Sequence, residues 1–518
     1  MRYLCIIILS VLSVFVRAQD TTFNILNHSY PSTNSIYSID KLGSEYYLLM
    51  SQMDTPNYYQ YVNYGILKLN SELQIIDSVM IDIDKTVIAI NGRGFAVSPI
   101  DTSIVFCGTI RDQGNQYNGY LVKFNNELDT LWSKQILHPD TAYADTAQNP
   151  VVVLQDIKIT PEGHYLIIGN YNHHCQGNID RSFIMKMDTA GNILWQKFLD
   201  PAVYQSYITN IEIDPIDSGF YFVSSKTDFY LYKYDKNGNY LWSKKFHTDV
   251  KIPYVSKIKV VDNNIIIGTN YYIPPVIIND GPIPRLYITS IDRTTQNINW
   301  TKRFKSISIW SQYLRQELID IEETPSGNLI VGSVGMTYKD SNFTGSHRAF
   351  LLMLNSNGDS LWSHYYCYQN DSAGVEDMQF NDMVVCDDGG ILFGGSYYSY
   401  PLDPQFIRAW LVKTDSMGNA PGMFTVDIKD NELVINNVEL KIYPNPTTDN
   451  MNLSMAKPPR QELQLEIYNI SGQLVMQQRL PTFEKQHRIN IQHLPSGVYL
   501  VSLLSDNQVV YSGKIIKE

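Results

Sequence analysis

The sequence predicts an all-β protein, a seven-bladed β-propeller followed by a small C-terminal β-sandwich. Three observations predict it. A strand–turn–strand pattern ending in Trp recurs between residues 35 and 420. Between turns the apolar residues alternate in period two or form short β-branched and aromatic runs, without long helical stripes. After residue 440 the Trp repeat stops and a different set of short strands and turns begins.

The clearest copy of the repeat is KMDTAGNILWQKF, from Lys186 to Phe198. KYDKNGNYLWSKKF ends at Phe246 and LNSNGDSLWSHYY at Tyr366. KFNNELDTLWSKQI, ending at Ile136, and SIDRTTQNINWTKRF, ending at Phe304, are weaker copies. Successive Trp residues lie 63, 47, 58 and 62 positions apart, because the loop between the second and third strands varies. Unit three reads LQDIKIT, PEGH, YLIIGNY, a loop, SFIMKMD, TAGN and ILWQKFL, starting at Leu154. The other units start near Ser35, Gly94, Ile208, Val255, Leu318 and Asn381. Four-stranded units of this length are propeller blades, none of which buries its faces alone.

Seven units fit a closed ring; six and eight stay open as counts because unit one is diverged, with Asp77 where the Trp would stand. Unit seven lacks a fourth strand after Gly418. The segment Thr21–Asn27 is expected to supply it, which would join the two ends and leave no open seam. In the turns, Asp188, Asp235 and Asp415 are placed to bond the backbone two residues on, and the Gly three residues later takes a positive φ. The Trp is expected to pack between blades.

This D-x-x-G-x-x-x-W pattern resembles the docking repeat of quinoprotein-like and WD40-like propellers. The resemblance covers roughly residues 35–420 and implies the fold. It transfers no catalytic residues, no quinone or metal motif accompanies it, and no cofactor is expected.

Composition agrees with a folded, exported protein. Of the 518 residues 44% are hydrophobic and 18% charged, which marks a globular chain too long for one core. Tyr, with 37 copies, suits sheet packing first and stacking against sugar rings second. The net charge of −12, without a basic block, argues against nucleic acid and anionic membranes. Residues 1–18 read as a secretory signal: Arg2, the apolar run Cys5 to Val16, and a cut after Ala18. No later stretch reaches transmembrane length, so no stable membrane insertion is expected. Of the four remaining cysteines, Cys107 reads as a buried strand residue, and Cys367 with Cys386 is the best candidate disulfide.

The chain then divides into a propeller over 19–420, a linker over 421–440 and a sandwich over 441–518. YPNPTTD at 443–449, IYNISGQLV at 467–475 and LPSGVYLV at 494–501 closely resemble the type A C-terminal sorting domain of the type IX secretion system. The matching residues include Tyr443, Pro444, Asn445, Pro446, Gly472, Pro495, Gly497 and Tyr499. The resemblance implies the type IX machinery as partner, export across two membranes, and release or attachment at the outer cell surface. It says nothing of the cargo's task.

Motifs for chemistry are sparse. Gly358-Asp359-Ser360-Leu361 spells a lipase signature but aligns with the repeat's turn. His173-His174-Cys175 is compact but has no second ligand group, so no metal site is expected. Asp235 to Asn239 imitates the start of a calcium loop without its later Glu. One constellation carries a hypothesis. The polar residue opening each first strand should face the central channel: Asp156, Asn210, Lys257, Asp320 and Asp382. Such a rim could bind a cation or polar ligand, serve as acid and base, or merely hold water. The reading is a secreted or surface-bound propeller that binds a glycan or a protein through loops on one face, rather than an enzyme. The alternatives are a glycan hydrolase or lyase using the channel carboxylates, and a structural surface protein.

Overall fold

The computed structural model describes residues 22–26, 33–53, 63–81, 86–89, 94–111, 117–137, 151–172, 181–199, 208, 210–225, 229–246, 256–273, 283–306, 315–338, 345–368, 376–399, 403–421, 423–425, 428–430, 440–455, 463–469, 473–481, 484–505 and 508–518. The chain divides into two compact parts, residues 1–430 and 431–518. The stretch read as a secretory signal (with Ala18), the His173-His174-Cys175 set and Gly472 lie outside the described residues.

The larger part is all-β and propeller-like. In unit three, Val151–Ile159, Tyr165–Asn172, Arg181–Met187 and Ile193–Phe198 form an antiparallel meander. Units one, four, five and six repeat it, and units two and three share a nine-stranded sheet through one parallel pair, Val151 opposite Tyr117. In unit seven, Asp403–Lys413 takes Phe23–Leu26 as its outer neighbour, with Leu26 opposite Trp410. The early segment thus pairs where unit seven has no fourth strand of its own. Apolar side chains from both faces of each sheet enter cores shared with the next unit. One such core joins Ile36 and Leu48 of unit one to Leu392 and Leu411 of unit seven. Several tyrosines are core residues, with Tyr47, Tyr165, Tyr221, Tyr365 and Tyr366 fully buried.

The Trp repeat has a direct structural cause. Trp132, Trp195, Trp300 and Trp362 each lie over the tight turn of the following unit. A Cβ on Gly238 would stand 2.8 Å from Trp195, and one on Gly358 2.8 Å from Trp300. Both glycines also hold φ near +75°, at 74° and 78°. The position therefore demands glycine twice, for its backbone and for the ring above it. The Trp300 indole N–H donates to the Ser356 carbonyl at 3.0 Å, and that of Trp132 to Thr189 at 3.1 Å. The residue two positions after the Trp completes the clamp. Lys197 bonds Asn239 and Lys302 bonds Asp359, each at 2.8 Å. Where unit five has no Gly in its turn, Lys244 bonds the Gln296 carbonyl instead. Asp77 occupies the Trp register in unit one, opposite Lys68 as Trp195 is opposite Lys186.

The Asp of each turn is consumed locally. Asp235 accepts the amides of Asn237 and Asn239 at 2.9 and 2.8 Å, plus the Asn239 side chain. That use accounts for its calcium-loop appearance. Gly358 to Leu361 is likewise the turn and strand start of unit six, and Asp359 pairs with Lys302 rather than with a histidine.

One expectation is extended and one corrected. The linker 421–440, read as holding a short strand, holds two within its described residues: Met423–Thr425 pairs with the outer strand of unit six, and Ile428–Asp430 with that of unit five. The open edges of those strands offered unpaired backbone groups, which the returning chain satisfies. Cys367 and Cys386 are not disulfide-bonded. Both are buried thiols, and they pack into different cores, beside Met378 and Tyr46 respectively.

The smaller part is a sandwich of a three-stranded and a four-stranded sheet. Met451, Leu453, Ile467, Ile489, Val501 and Ile515 fill the space between them. Asn445 fastens the Pro-rich turn to the last strand, donating to the Lys514 carbonyl and accepting the Ile516 amide, each at 2.9 Å. The Tyr499 hydroxyl donates to the Pro495 carbonyl at 2.7 Å.

Candidate functional site

The first strand of a meander lies innermost, and its alternation sends every second side chain toward the axis. Asp156, Asn210, Lys257, Asp320 and Asp382 all border one cavity of about 260 Å³. Asn210 and Lys257 stand at the start of their strands, as expected, but Asp156, Asp320 and Asp382 lie past the middle of Val151–Ile159, Arg315–Glu323 and Glu376–Val385. These three strands begin earlier than their alternation suggests because each contains a bulge just before the axial residue. Register shifts between Leu154 and Asp156, Leu318 and Asp320, and Phe380 and Asp382. The extra residue re-aims the side chain after it toward the axis.

A second layer of charge lies two residues farther along: Lys158, Glu212, Lys259 and Glu322, with Asp40 two residues after Ser38 in unit one. The sequence reading missed this layer, although the period-two rule applied to Asp156 or Lys257 would have found it. Across the cavity, Lys257 pairs with Asp320 at 2.5 Å, Lys259 with Glu322 at 2.6 Å and Lys158 with Glu212 at 3.5 Å.

Most of the axial polar groups join one unit to the next. Asp156 accepts the Ile211 amide at 3.1 Å and the Asn210 side chain at 3.0 Å. Asn210 accepts the Ile258 amide at 2.9 Å. Asp40 accepts the Val97 amide at 2.7 Å. Asp382 accepts the Ser38 hydroxyl at 2.5 Å and the Ile39 amide at 2.9 Å. Each carboxylate or amide therefore satisfies a buried backbone donor of its neighbour.

Six carboxyls face three lysines around the cavity, and the excess shows in their titration. Burial pushes Asp382 up to about 7, and the charge of Asp320 adds to the rise against Lys257 and the bonds from Ser38 and Ile39. Burial raises Asp40 to about 6 despite the amides of Val97 and Lys41. Asp320 goes the other way: burial works against its charge, but Lys257, Lys259 and Lys158 hold it below the usual carboxylate range. Lys158 is raised, since Glu212 and Asp156 outweigh the burial that opposes its charge. Asp40 and Asp382 are half-buried and touch the open space, so their protons can exchange with it. Among the described residues, no group of three or more His, Cys, Asp or Glu could hold a metal ion.

Residues 441–518 match the family described as the secretion system C-terminal sorting domain. The tail is a sorting domain. It implies the type IX secretion machinery as its partner and a secreted or outer-surface destination. No described helix is long and apolar enough to cross a membrane. A stretch of 76 residues is 34% identical to ulvan lyase NLR42 of Nonlabens ulvanivorans, covering 14% of this chain and 14% of the lyase. The match therefore spans about a seventh of the lyase's length. Among solved structures, a PL25 ulvan lyase bound to -[GlcA(1-4)Rha3S]- overlaps 81% of this chain and 93% of its own, at 10% identity and a TM-score of 0.41. The WD40 domain of Neurospora crassa Pan2 overlaps 79% of this chain and 98% of its own, at 10% identity and a TM-score of 0.44.

Proposed function

We propose that residues 19–420 form a closed propeller of seven blades, exported through its sorting tail, that binds a glycan at the end where the long connections leave. The observation that carries this reading is the use of the axial side chains. Asp156, Asn210 and Asp382 are each bonded to a backbone amide of the following unit. Groups held in this way latch blades together, which leaves recognition to the loop-bearing end. The bonds of Asp382 to Ser38 and Ile39 also support closure between units seven and one.

A second reading, a glycan-degrading enzyme, is favoured by Asp382 and Asp40, raised to about 7 and about 6. A carboxyl that titrates near neutrality suits general acid–base work. The partial match to an ulvan lyase makes ulvan a fitting probe. The test is incubation of the full chain with ulvan and a panel of neutral and acidic polysaccharides, following both retention and new chain ends. Retention without new ends is expected. New ends that vanish in Asp382→Asn would replace binding with catalysis, and absence of both would sink the glycan reading.

A further inference from the structure

A second recess lies at the junction of units one and seven, nearer the loop-bearing end than the axial cavity. Its lining residues precede the axial ones on the same two strands: Ser35 and Tyr37 before Ser38, Gln379 and Asn381 before Asp382. Ser396 and Tyr398 close it from the second strand of unit seven. Two bulges build it. Tyr37 is the extra residue between Ile36 and Ser38, and Asn381 the extra residue between Phe380 and Asp382. A bulge turns its extra side chain away from the ladder, and here two neighbouring bulges turn a Tyr and an Asn into one space.

The walls are fixed by the fold. Asn381 donates to the Ile36 carbonyl at 2.7 Å, and the Ser35 and Ser396 hydroxyls lie 2.5 Å apart. Gly395 permits the close backbone approach, since a Cβ there would stand 1.8 Å from the Gln379 carbonyl. The lining holds hydroxyls, side-chain amides and two phenol rings, with no charged side chain. That sets it apart from the axial cavity, where six carboxyls face three lysines. Amide and hydroxyl groups offer donors and acceptors in equal supply, and phenol rings offer an apolar face. An uncharged polyhydroxyl ring presents the complementary surface. The volume, about 90 Å³, is well below the roughly 300 Å³ of an ordinary ligand pocket, so one edge of a ring enters and the rest stays outside.

We propose that this recess is a subsite for a neutral sugar residue of an extracellular glycan. It deepens the glycan-binding reading above and rests on it. The test uses the full chain with L-rhamnose, D-galactose and D-xylose as probes and D-glucuronate as the charged control. Saturation-transfer NMR reads contact, and retention on the polysaccharide panel reads binding of polymer. At least one neutral sugar should give transfer, glucuronate should not, and Gln379→Ala should weaken the neutral signal about tenfold. Tyr398→Phe, which keeps the ring and the fold, should weaken it about threefold, the cost of one hydrogen bond. Unchanged signals in both variants, no transfer at all, or equal transfer from glucuronate would overturn the subsite. Retention on polymer that survives both variants would remove the subsite and keep the binding reading. Loss of the sugar signal in the variants, with no polymer retained, would keep the subsite and remove the polymer.

Discussion

The rim and the axis of the propeller-like part join the same units by opposite means. At the rim a Trp rests on a glycine turn, and shape does the joining: Trp300 sits over Gly358 and Trp195 over Gly238. At the axis a charged or amide side chain reaches a backbone amide of the next strand, and hydrogen bonding does the joining: Asp156 to Ile211 and Asn210 to Ile258. Shape tolerates little variation, so the rim repeats in the sequence. Hydrogen bonding accepts any side chain with an oxygen at the right reach, so the axis varies from Asp to Asn and even to the ion pair Lys257–Asp320. Both layers serve assembly here, and only the one that works by shape is strict in sequence.

Breaking the rim should cost most. Gly358→Val adds a β-branched side chain at φ 78°, against a ring 2.8 Å from the Cβ. The strain and the overpacking together should lower stability by about 3 kcal/mol or more, read from denaturant unfolding. A loss no larger than that of a surface substitution would mean the Trp does not rest on that turn. Breaking the axis should cost less. Asp156→Ala leaves the Ile211 amide and the Asn210 side chain without their acceptor, a loss of about 2 kcal/mol. Equal losses at rim and axis would erase the contrast.

A third test of the axis concerns pH. Asp382 is raised to about 7 in the folded chain, above its unfolded value near 3.9. Between those values the folded state binds more protons than the unfolded one, so stability falls as pH rises through that window. Thermal unfolding followed from pH 4 to pH 8 should show this decline, and Asp382→Asn should flatten it. A decline equally steep in the variant would assign it to another group, with Asp40 the first candidate because it is raised to about 6.

What the sequence determined by itself was local. Period-two alternation, Asp and Gly at turns, and a Trp at a fixed distance are set by neighbouring residues, and they yield meanders such as Val151–Phe198 and a separate sorting sandwich. The motif residues Asn445 and Tyr499 were legible only through the resemblance to a sorting domain: Tyr499 bonds within its own turn, but Asn445 bonds the last strand about seventy positions on. The five axial residues were legible as a group, since alternation points them inward, but their tasks were not. Only the tertiary structure decided that Asp382 answers Ser38 and Ile39, more than three hundred positions away. It decided that Cys367 and Cys386 lie in different cores, and that 423–425 and 428–430 return to edges left open by units six and five. It also decided the bulges at Tyr37 and Asn381, which no local pattern announces. A bulge is placed where a strand must fit its neighbour, and that neighbour is supplied by packing between units rather than by the residues on either side.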